Sequence, residues 1–210
     1  MLSPSEIMAG LTEIANQAIG AAIAWHVALF FALGAVILGW RPSQRTAGAL
    51  LATPLASVAA FAFAFGNPFN GALFAAAAVA LLLLAVPGDP GPVMRGPAWA
   101  WWTGVVLIGF GWSYPHFLAA HPATYLYAAP VGLVPCPTLA VVIGLALLAG
   151  GLGRRAWTLT LAIIGLFYGL FGALRLGVAI DLVLIGGSSV LAASALVGMG
   201  PSRALGKAPS

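Results

Sequence analysis

Long apolar stretches recur along this chain, and short segments rich in glycine, proline and arginine separate them. The stretches have the length of about 17 to 25 residues that a helix needs to cross the hydrocarbon core of a bilayer. Charged residues make up only 6% of the sequence, whereas roughly a quarter of the residues of a soluble domain are charged. Such a chain cannot cover a water-facing surface. The sequence therefore predicts an all-α integral membrane protein whose main partner is the lipid bilayer.

The turn residues between the apolar stretches divide them into seven predicted membrane spans. We expect these spans to form a single transmembrane domain over residues 18–198, followed by a cytoplasmic tail at 199–210. The predicted spans are 18–38, 47–65, 69–86, 98–118, 136–152, 156–174 and 178–198. Because several of the connections are short, consecutive helices should be antiparallel neighbours in a seven-helix bundle.

Residues 1–17 predict a different kind of element. Ser3, Pro4 and Glu6 have the spacing of a capping box, with the serine as N-cap and the glutamate at N3. Apolar side chains then recur on one face of the helix, at Ile7, Leu11, Ile14 and Ala18. We expect a short amphipathic helix that lies at the membrane interface.

Positive charge divides unevenly between the two sides of this arrangement. Seven of the eight Lys and Arg residues fall on one side, namely Arg41, Arg45, Arg95, Arg154, Arg155, Arg203 and Lys207. Arg175 is on the other side, and loops rich in Lys and Arg stay in the cytoplasm. The sequence thus predicts a protein of the inner (plasma) membrane with its N-terminus outside. The net charge of +4 is explained by this orientation, and nucleic acid is not an expected partner.

Most residues that can carry chemistry fall on the predicted outer side. The candidate substrate-binding residues are Cys136, His116, His121, Asp181, His26, Glu13, Asn16, Tyr114 and Asn67. Cys136, His116 and His121 are ligand types for zinc or copper. A transition metal ion such as Zn or Cu is therefore the candidate cofactor, although the spacing of these residues matches no compact metal-binding motif.

The only cysteine in the chain, Cys136, lies between two prolines. A residue before proline avoids helical backbone and a proline fits the first helical position, so Cys136 is predicted to be the N-cap of the fifth span, with Pro137 at N1. The helix dipole at that position favours a reactive or metal-binding thiolate. In the alternative interpretation, Cys136 is a small apolar residue packed in a turn.

The companions of Cys136 also have structural alternatives. His116 fits an interfacial aromatic belt, and His121 fits a solvated loop. His26 lies inside an apolar span, where an ionisable residue is by default a functional hypothesis, but a hydrogen bond to a neighbouring helix explains it as well. Asp181 can pair with Arg175 across the turn into the last span.

The sixth predicted span carries a pattern of small residues. Gly165 and Gly169 form a small-xxx-small pair, and Gly172 extends the same face. Such faces let two membrane helices approach closely. We expect these glycines to have a packing role.

Two sequence elements carry a resemblance to a known family. They are Trp-Ser-Tyr-Pro at 112–115 and Gly-Leu-Val-Pro-Cys-Pro-Thr at 132–138. On these elements the chain resembles a family of bacterial multi-pass membrane proteins of unknown function, which share a Tyr-Pro element and a Gly-x-x-Pro-Cys-Pro-Thr element. The Asn-Pro turn at 67–68 and the segment 176–181 also look like the family's pattern, whereas Ala-Trp-His-Val at 24–27 departs from it. The resemblance implies a fold and a set of positions, but no activity.

Three classes of function remain open from the sequence. The thiol, imidazole and carboxyl groups of the outer side favour a transporter or binding protein for a metal cation or small solute. Cys136 with His116 or His121 as a base would instead give a membrane enzyme or redox component. An accessory subunit would pack against other membrane subunits or against itself. Single replacements of Cys136, His116 and Asp181 distinguish the first two classes from the third.

Overall fold

The computed structural model describes residues 3–87 and 90–197. Within these ranges the secondary structure is helical, apart from an isolated bridge between Ser43 and Pro92. The α-helices are α1 (Pro4–Gln17), α2 (Ile19–Ile37), α3 (Gln44–Ala64), α4 (Pro68–Ala85), α5 (Ala98–Trp112), α6 (Tyr125–Ala128), α7 (Pro135–Leu148), α8 (Arg155–Leu170) and α9 (Leu182–Val197). Short 3-10 turns are Pro122–Thr124, Gly150–Gly153 and Ala179–Asp181, and a π-helical turn is Phe171–Arg175. The predicted all-α class is confirmed. The predicted tail, with Arg203 and Lys207, lies outside the described residues.

Five helical stretches are long and apolar enough to cross a membrane. They are Ile19–Ile37, Gln44–Ala64, Pro68–Ala85, Arg155–Arg175 and Ala179–Val197. Their ends lie within three residues of the ends of predicted spans. Length and composition therefore make this an apolar helical protein suited to a lipid bilayer.

The other two predicted spans are shorter helices in the structure. α5 ends at Trp112 and α7 ends at Leu148, so they have 15 and 14 residues. At 1.5 Å per residue they are about 22 and 21 Å long, which is less than the hydrocarbon thickness of about 30 Å. α5 ends shortly before Pro115, which disfavours helical backbone at the residue preceding it. α7 ends at a turn, 150–153, in which every residue has a positive φ.

Although it is short, α7 lies at the centre of the bundle. All of its residues except Leu145 and Leu148 are buried, and so is the segment 128–134 that leads into it. α5 approaches α7 closely, since a Cβ on Gly104 would lie 2.6 Å from the Gly144 carbonyl oxygen. Irregular backbone can lie at membrane depth when protein buries it. α7 is therefore a short, buried central helix, and within residues 3–87 and 90–197 the structure supports five helices of spanning length rather than the predicted seven.

The glycine face predicted on the sixth span packs against α9 and the 3-10 turn that precedes it. A Cβ on Gly165 would overlap the Ser188 hydroxyl, and one on Gly172 would overlap the Asp181 carboxylate. Gly169, between them, also meets α9. α8 and α9 run antiparallel, because Gly165 meets Ser188 whereas the later Gly169 meets the earlier Ile185. The predicted packing role is confirmed, and the same glycines leave space for two polar side chains.

α1 packs on the bundle through its predicted apolar face. Leu11 and Ile14 are buried there. A break at Ala18 separates α1 from α2, because α1 ends at Gln17 and α2 begins at Ile19. α1 is therefore a helix separate from α2, and it covers Pro4–Gln17 of the predicted element 1–17.

The capping box of α1 gives a pH-dependent prediction. Glu6 Oε2 accepts a hydrogen bond from the Ser3 amide at 2.6 Å, and Ser3 Oγ accepts one from the Glu6 amide at 3.3 Å. The bond from the Ser3 backbone holds the pKa of the Glu6 carboxyl below its usual value. A lowered carboxyl pKa stabilises the folded state above the usual value, and this contribution is lost as pH falls through the folded-state pKa. We expect the first turn of α1 to lose amide-exchange protection between about pH 6 and pH 3.

The matched control is on the same helix. Glu6→Gln keeps an oxygen that accepts from the Ser3 amide but does not titrate, so its protection should be the same at both pH values, whereas Glu13→Gln, outside the capping box, should behave like the unchanged chain. The same loss of protection on acidification in Glu6→Gln would contradict the assignment.

Candidate functional site

A small cavity lies on the predicted outer side of the bundle. Its volume is about 20 Å³, which is room for roughly one water molecule. It is lined by Ile7, Leu11, Asn70, Phe117, Pro135, Cys136, Tyr168, Phe171, Gly172, Leu176, Val178 and Asp181. Its walls thus come from α1, α4, α7, α8 and the connections around them, and its polar groups are a carboxyl, a thiol, an amide and a phenol.

Asp181 is the centre of the polar contacts. Its Oδ1 accepts a hydrogen bond from the Tyr114 hydroxyl at 2.8 Å, and its Oδ2 accepts one from the Cys136 thiol at 3.1 Å. Asp181 is 1% exposed and Tyr114 is fully buried. Within residues 3–87 and 90–197 no cationic side chain forms an ion pair with this carboxylate. Burying a carboxylate is costly unless its charge is compensated. Its two hydrogen-bond donors are neutral, and His116 interacts with it electrostatically from outside the cavity.

A second polar pair also lines the cavity. The Tyr168 hydroxyl donates a hydrogen bond to Asn70 Oδ1 at 2.9 Å, and both residues are buried. The sequence prediction missed both of them. Asn70 is the only polar side chain of the predicted span 69–86, so its isolation in an apolar stretch was the available signal. The sequence predicts the nearby Asn67 as a site residue, but its Oδ1 accepts from the Asn70 amide at 3.1 Å and it does not line the cavity.

The start of α7 brings Cys136 to Asp181. The helix begins at Pro135 with Val134 as N-cap, so Cys136 is the second helical residue and the prediction of Cys136 as N-cap is wrong. Proline is tolerated throughout the first turn because the amides there have no intrahelical partners, and both prolines occupy that turn. The positive end of the helix dipole therefore lies beside the carboxylate of Asp181. The thiol donates a hydrogen bond, so in this geometry it is protonated rather than a thiolate.

The π-helical turn after α8 makes room for the carboxylate. Gly172 lies in this turn, and a Cβ there would overlap Asp181 Oδ2. The amide of Val178 donates to the Gly172 carbonyl at 2.9 Å, which closes the connection to α9. Arg175 is exposed, and in the part of the chain that the structure describes it forms no ion pair with Asp181. The alternative pairing of these two residues is therefore not formed.

The two predicted histidine ligands lie outside the cavity. His116 is half-buried against the rings of Tyr114 and Phe117, with centroid distances of 6.4 and 4.6 Å. His121 is exposed, and its Nδ1 accepts a hydrogen bond from a backbone amide two residues later at 3.2 Å. Among the described residues, no group of three or more His, Cys, Asp or Glu side chains is placed to hold a metal ion. Cys136, His116 and His121 are thus not brought together as a ligand set.

Three further candidate residues have structural contacts. Asn16 fastens α1 to the loop after α5, because its Nδ2 donates to the Phe117 carbonyl at 2.8 Å and its Oδ1 accepts from the Ala119 amide at 2.9 Å. Glu13 is exposed and accepts a hydrogen bond from a glutamine one turn later at 3.0 Å. Asn67 is the N-cap of α4. Of the three, Asn16 acts on the site indirectly, since it holds α1 over the cavity.

His26 joins α2 to the end of α5. Its Nδ1 lies 2.9 Å from the Ala22 carbonyl oxygen, and its Nε2 lies 2.9 Å from the Trp112 carbonyl oxygen. The neighbouring Trp25 donates from Nε1 to Ser57 Oγ at 2.9 Å. These are the contacts of the structural alternative, in which His26 bonds to a neighbouring helix, and His26 does not line the cavity.

Comparisons with known proteins assign nothing to this site. No family model, no curated protein and no solved structure matches the chain. The chemistry of the cavity is therefore inferred from its own side chains.

Proposed function

We propose that this chain is a multi-pass membrane protein that binds a small metal cation between Asp181 and Cys136 and takes it up from the outer side. The observation that carries the proposal is the buried carboxylate of Asp181, which only neutral donors contact in the described ranges. An ionisable side chain within apolar helices is costly and commonly marks an ion or substrate site. A cation beside Asp181 would compensate its charge.

The spacing of the two ligand atoms suits a shared metal ion. Cys136 Sγ and Asp181 Oδ2 are 3.1 Å apart. Two ligand atoms of a tetrahedral zinc ion, one sulfur and one oxygen, lie about 3.5 Å apart at the usual bond lengths. A movement of a few tenths of an ångström would therefore admit the ion in place of the thiol proton, which must leave because the thiolate is the ligand. Asn70 and Tyr168, which line the same cavity, would supply neutral oxygens.

The cavity size favours an ion over the small organic solute that the sequence left open. A volume of about 20 Å³ corresponds to one water molecule or a bare ion. An organic solute would require the bundle to open. Two charged protein ligands and neutral oxygens would coordinate the ion less tightly than four charged or imidazole ligands. Such weak coordination suits a protein that binds an ion and then releases it.

The seven-span arrangement is part of this proposal. α5 and α7 would be the two short spans, with the basic loops in the cytoplasm and the cavity open toward the outside. The family resemblance supports the same site, since its elements supply Tyr114, Cys136 and Asp181. These three residues are far apart in the sequence and form one hydrogen-bonded chain.

Metal content of the purified full-length protein tests the proposal. After exposure to Zn, Cu or Ni and removal of free metal, the unchanged chain should retain a stoichiometric amount of one of them. Cys136→Ser and Asp181→Asn should each retain at least about tenfold less, because loss of a ligand costs more than loss of the groups that orient it. His121→Ala, which alters an exposed histidine outside the cavity, is the control and should retain the metal. No retained metal in the unchanged chain, or full retention in Asp181→Asn, would refute the proposal.

A second candidate is thiol chemistry at Cys136. It is favoured by the contact between the thiol and Asp181 at 3.1 Å, which makes the carboxylate, and not His116 or His121, the base within reach. In that case hydrogen peroxide, which is close to water in size, should oxidise the Cys136 thiol to a sulfenic acid in the unchanged chain, and Asp181→Asn should slow the oxidation without any metal being retained. An accessory subunit would instead tolerate single replacement of Cys136, His116 or Asp181.

A further inference from the structure

Three polar segments meet at the end of α7 that is remote from the cavity. The bridge between Ser43 and Pro92 joins the start of α3 to the connection between α4 and α5. The Gly96 amide then donates to the Leu148 carbonyl at 3.1 Å, at the end of α7. We call these segments, which are residues 41–45, 90–97 and 148–155, the platform. Since Cys136 is near the start of α7, the platform and the proposed metal site lie at opposite ends of this helix.

The platform carries most of the positive charge of the chain. Arg41, Arg45, Arg95, Arg154 and Arg155 belong to its segments. Among the described residues of these segments no acidic side chain is present, and Asp89, in the connection between α4 and α5, lies outside the described residues. Such a concentration of arginines attracts anions at a membrane surface.

A groove opens on this platform at the start of α5. It is lined by Arg95, Gly96, Ala98, Trp101 and Trp102, and its volume is about 290 Å³. The guanidinium carbon of Arg95 lies 5.3 Å from the centre of the Trp101 ring, which is a cation–π contact. The planar guanidinium of Arg95 also carries five N–H donors in a geometry that matches a phosphate.

We propose that this groove binds the phosphate of an anionic phospholipid headgroup from the surrounding bilayer. Trp102 of the groove is exposed, and so are Trp99 and Met94, which are close to the groove residues in the sequence. Tryptophans at a membrane interface lie at the level of the headgroups, and their apolar surfaces suit the glycerol and upper acyl chain. A soluble phosphate ion would make no favourable contact with these apolar side chains, so they favour a lipid as the ligand. The start of α5, where Pro97 offers no side-chain cap, adds amides that favour an anion. This inference is independent of the metal site.

Lipid retention by the full-length protein in nanodiscs tests the inference. In mixed phosphatidylglycerol and phosphatidylcholine, the protein should retain phosphatidylglycerol preferentially, as measured by native mass spectrometry after release from the discs. Arg95→Gln should weaken that retention about fivefold, which is the effect of one interfacial cation, and Trp101→Leu should also weaken it. Arg175→Gln removes an exposed arginine remote from the groove and should leave retention unchanged.

The outcomes separate lipid from other ligands. Equal retention of the two lipids, or equal retention in Arg95→Gln and the unchanged chain, would overturn the inference. Complete displacement of phosphatidylglycerol by glycerol phosphate at matched concentration would assign the groove to a soluble phosphate and would also overturn it. Arg95→Lys keeps the charge and should retain more lipid than Arg95→Gln, which distinguishes loss of binding from a disturbed fold.

Discussion

Gly104→Ala should destabilise the bundle by about 1–3 kcal/mol, which is the usual cost of overpacking a close contact. The added Cβ would lie 2.6 Å from the Gly144 carbonyl oxygen and 3.1 Å from the Leu147 Cβ. Both neighbours are on α7, the most buried helix, and neither is the end of a flexible side chain. α5 and α7 would therefore have to separate along their contact.

Gly109→Ala is the matched control for this prediction. Gly109 is on the same helix, and a Cβ there would meet no atom within 4 Å, so the replacement should be neutral or stabilise by up to about 1 kcal/mol through helix propensity. The free energy of unfolding, measured by titration with sodium dodecyl sulfate in detergent micelles, checks both variants. Equal stabilities of Gly104→Ala and Gly109→Ala would show that the close approach of α5 to α7 is not formed. Gly144→Ala should add little to Gly104→Ala, because the two replacements disturb one shared contact.

The helices of the fold were predictable where apolar length alone decides them. Five predicted spans have helices of spanning length in the structure, since a long apolar stretch in lipid has to satisfy its backbone within a helix. α5 and α7 differ because their ends depend on local backbone. A proline at 115 and a turn of positive φ at 150–153 end helices inside segments that remain apolar in composition. The hydropathy of the sequence therefore does not reveal where α5 and α7 end.

The candidate site was predictable in part for a different reason. The distribution of charge predicts that Cys136, Tyr114 and Asp181 lie on the same side of the membrane. It does not predict that the tyrosine and the cysteine both donate to the carboxylate of Asp181. His121 and Asn67 were expected in the site because of their residue types. In the structure each accepts a hydrogen bond from a nearby backbone amide, and such local contacts compete with any long-range role.

Gly172→Ala should remove metal retention while the protein stays folded. The new Cβ would overlap Asp181 Oδ2, so the carboxylate has to move away from the thiol of Cys136. The pair of ligand atoms would then be broken, and metal retention should fall at least about tenfold. The overlap is with a side chain that can rotate, so the cost in stability should not exceed the range of about 1–3 kcal/mol for overpacking.

Gly169→Ala distinguishes loss of the site from loss of helix packing. Gly169 lies on the same face of α8, and a Cβ there would lie 2.8 Å from Ile185 Cγ1 and 3.1 Å from the Ile185 amide nitrogen. It would disturb the contact between α8 and α9 at least as much as Gly172→Ala, but it would not reach the carboxylate of Asp181. Gly169→Ala should therefore be destabilised and still retain metal, as measured by elemental analysis on the folded fraction. Equal loss of metal in both variants would mean that the metal depends on the packing of α8 against α9 in general, whereas loss in Gly172→Ala alone would locate it at Asp181.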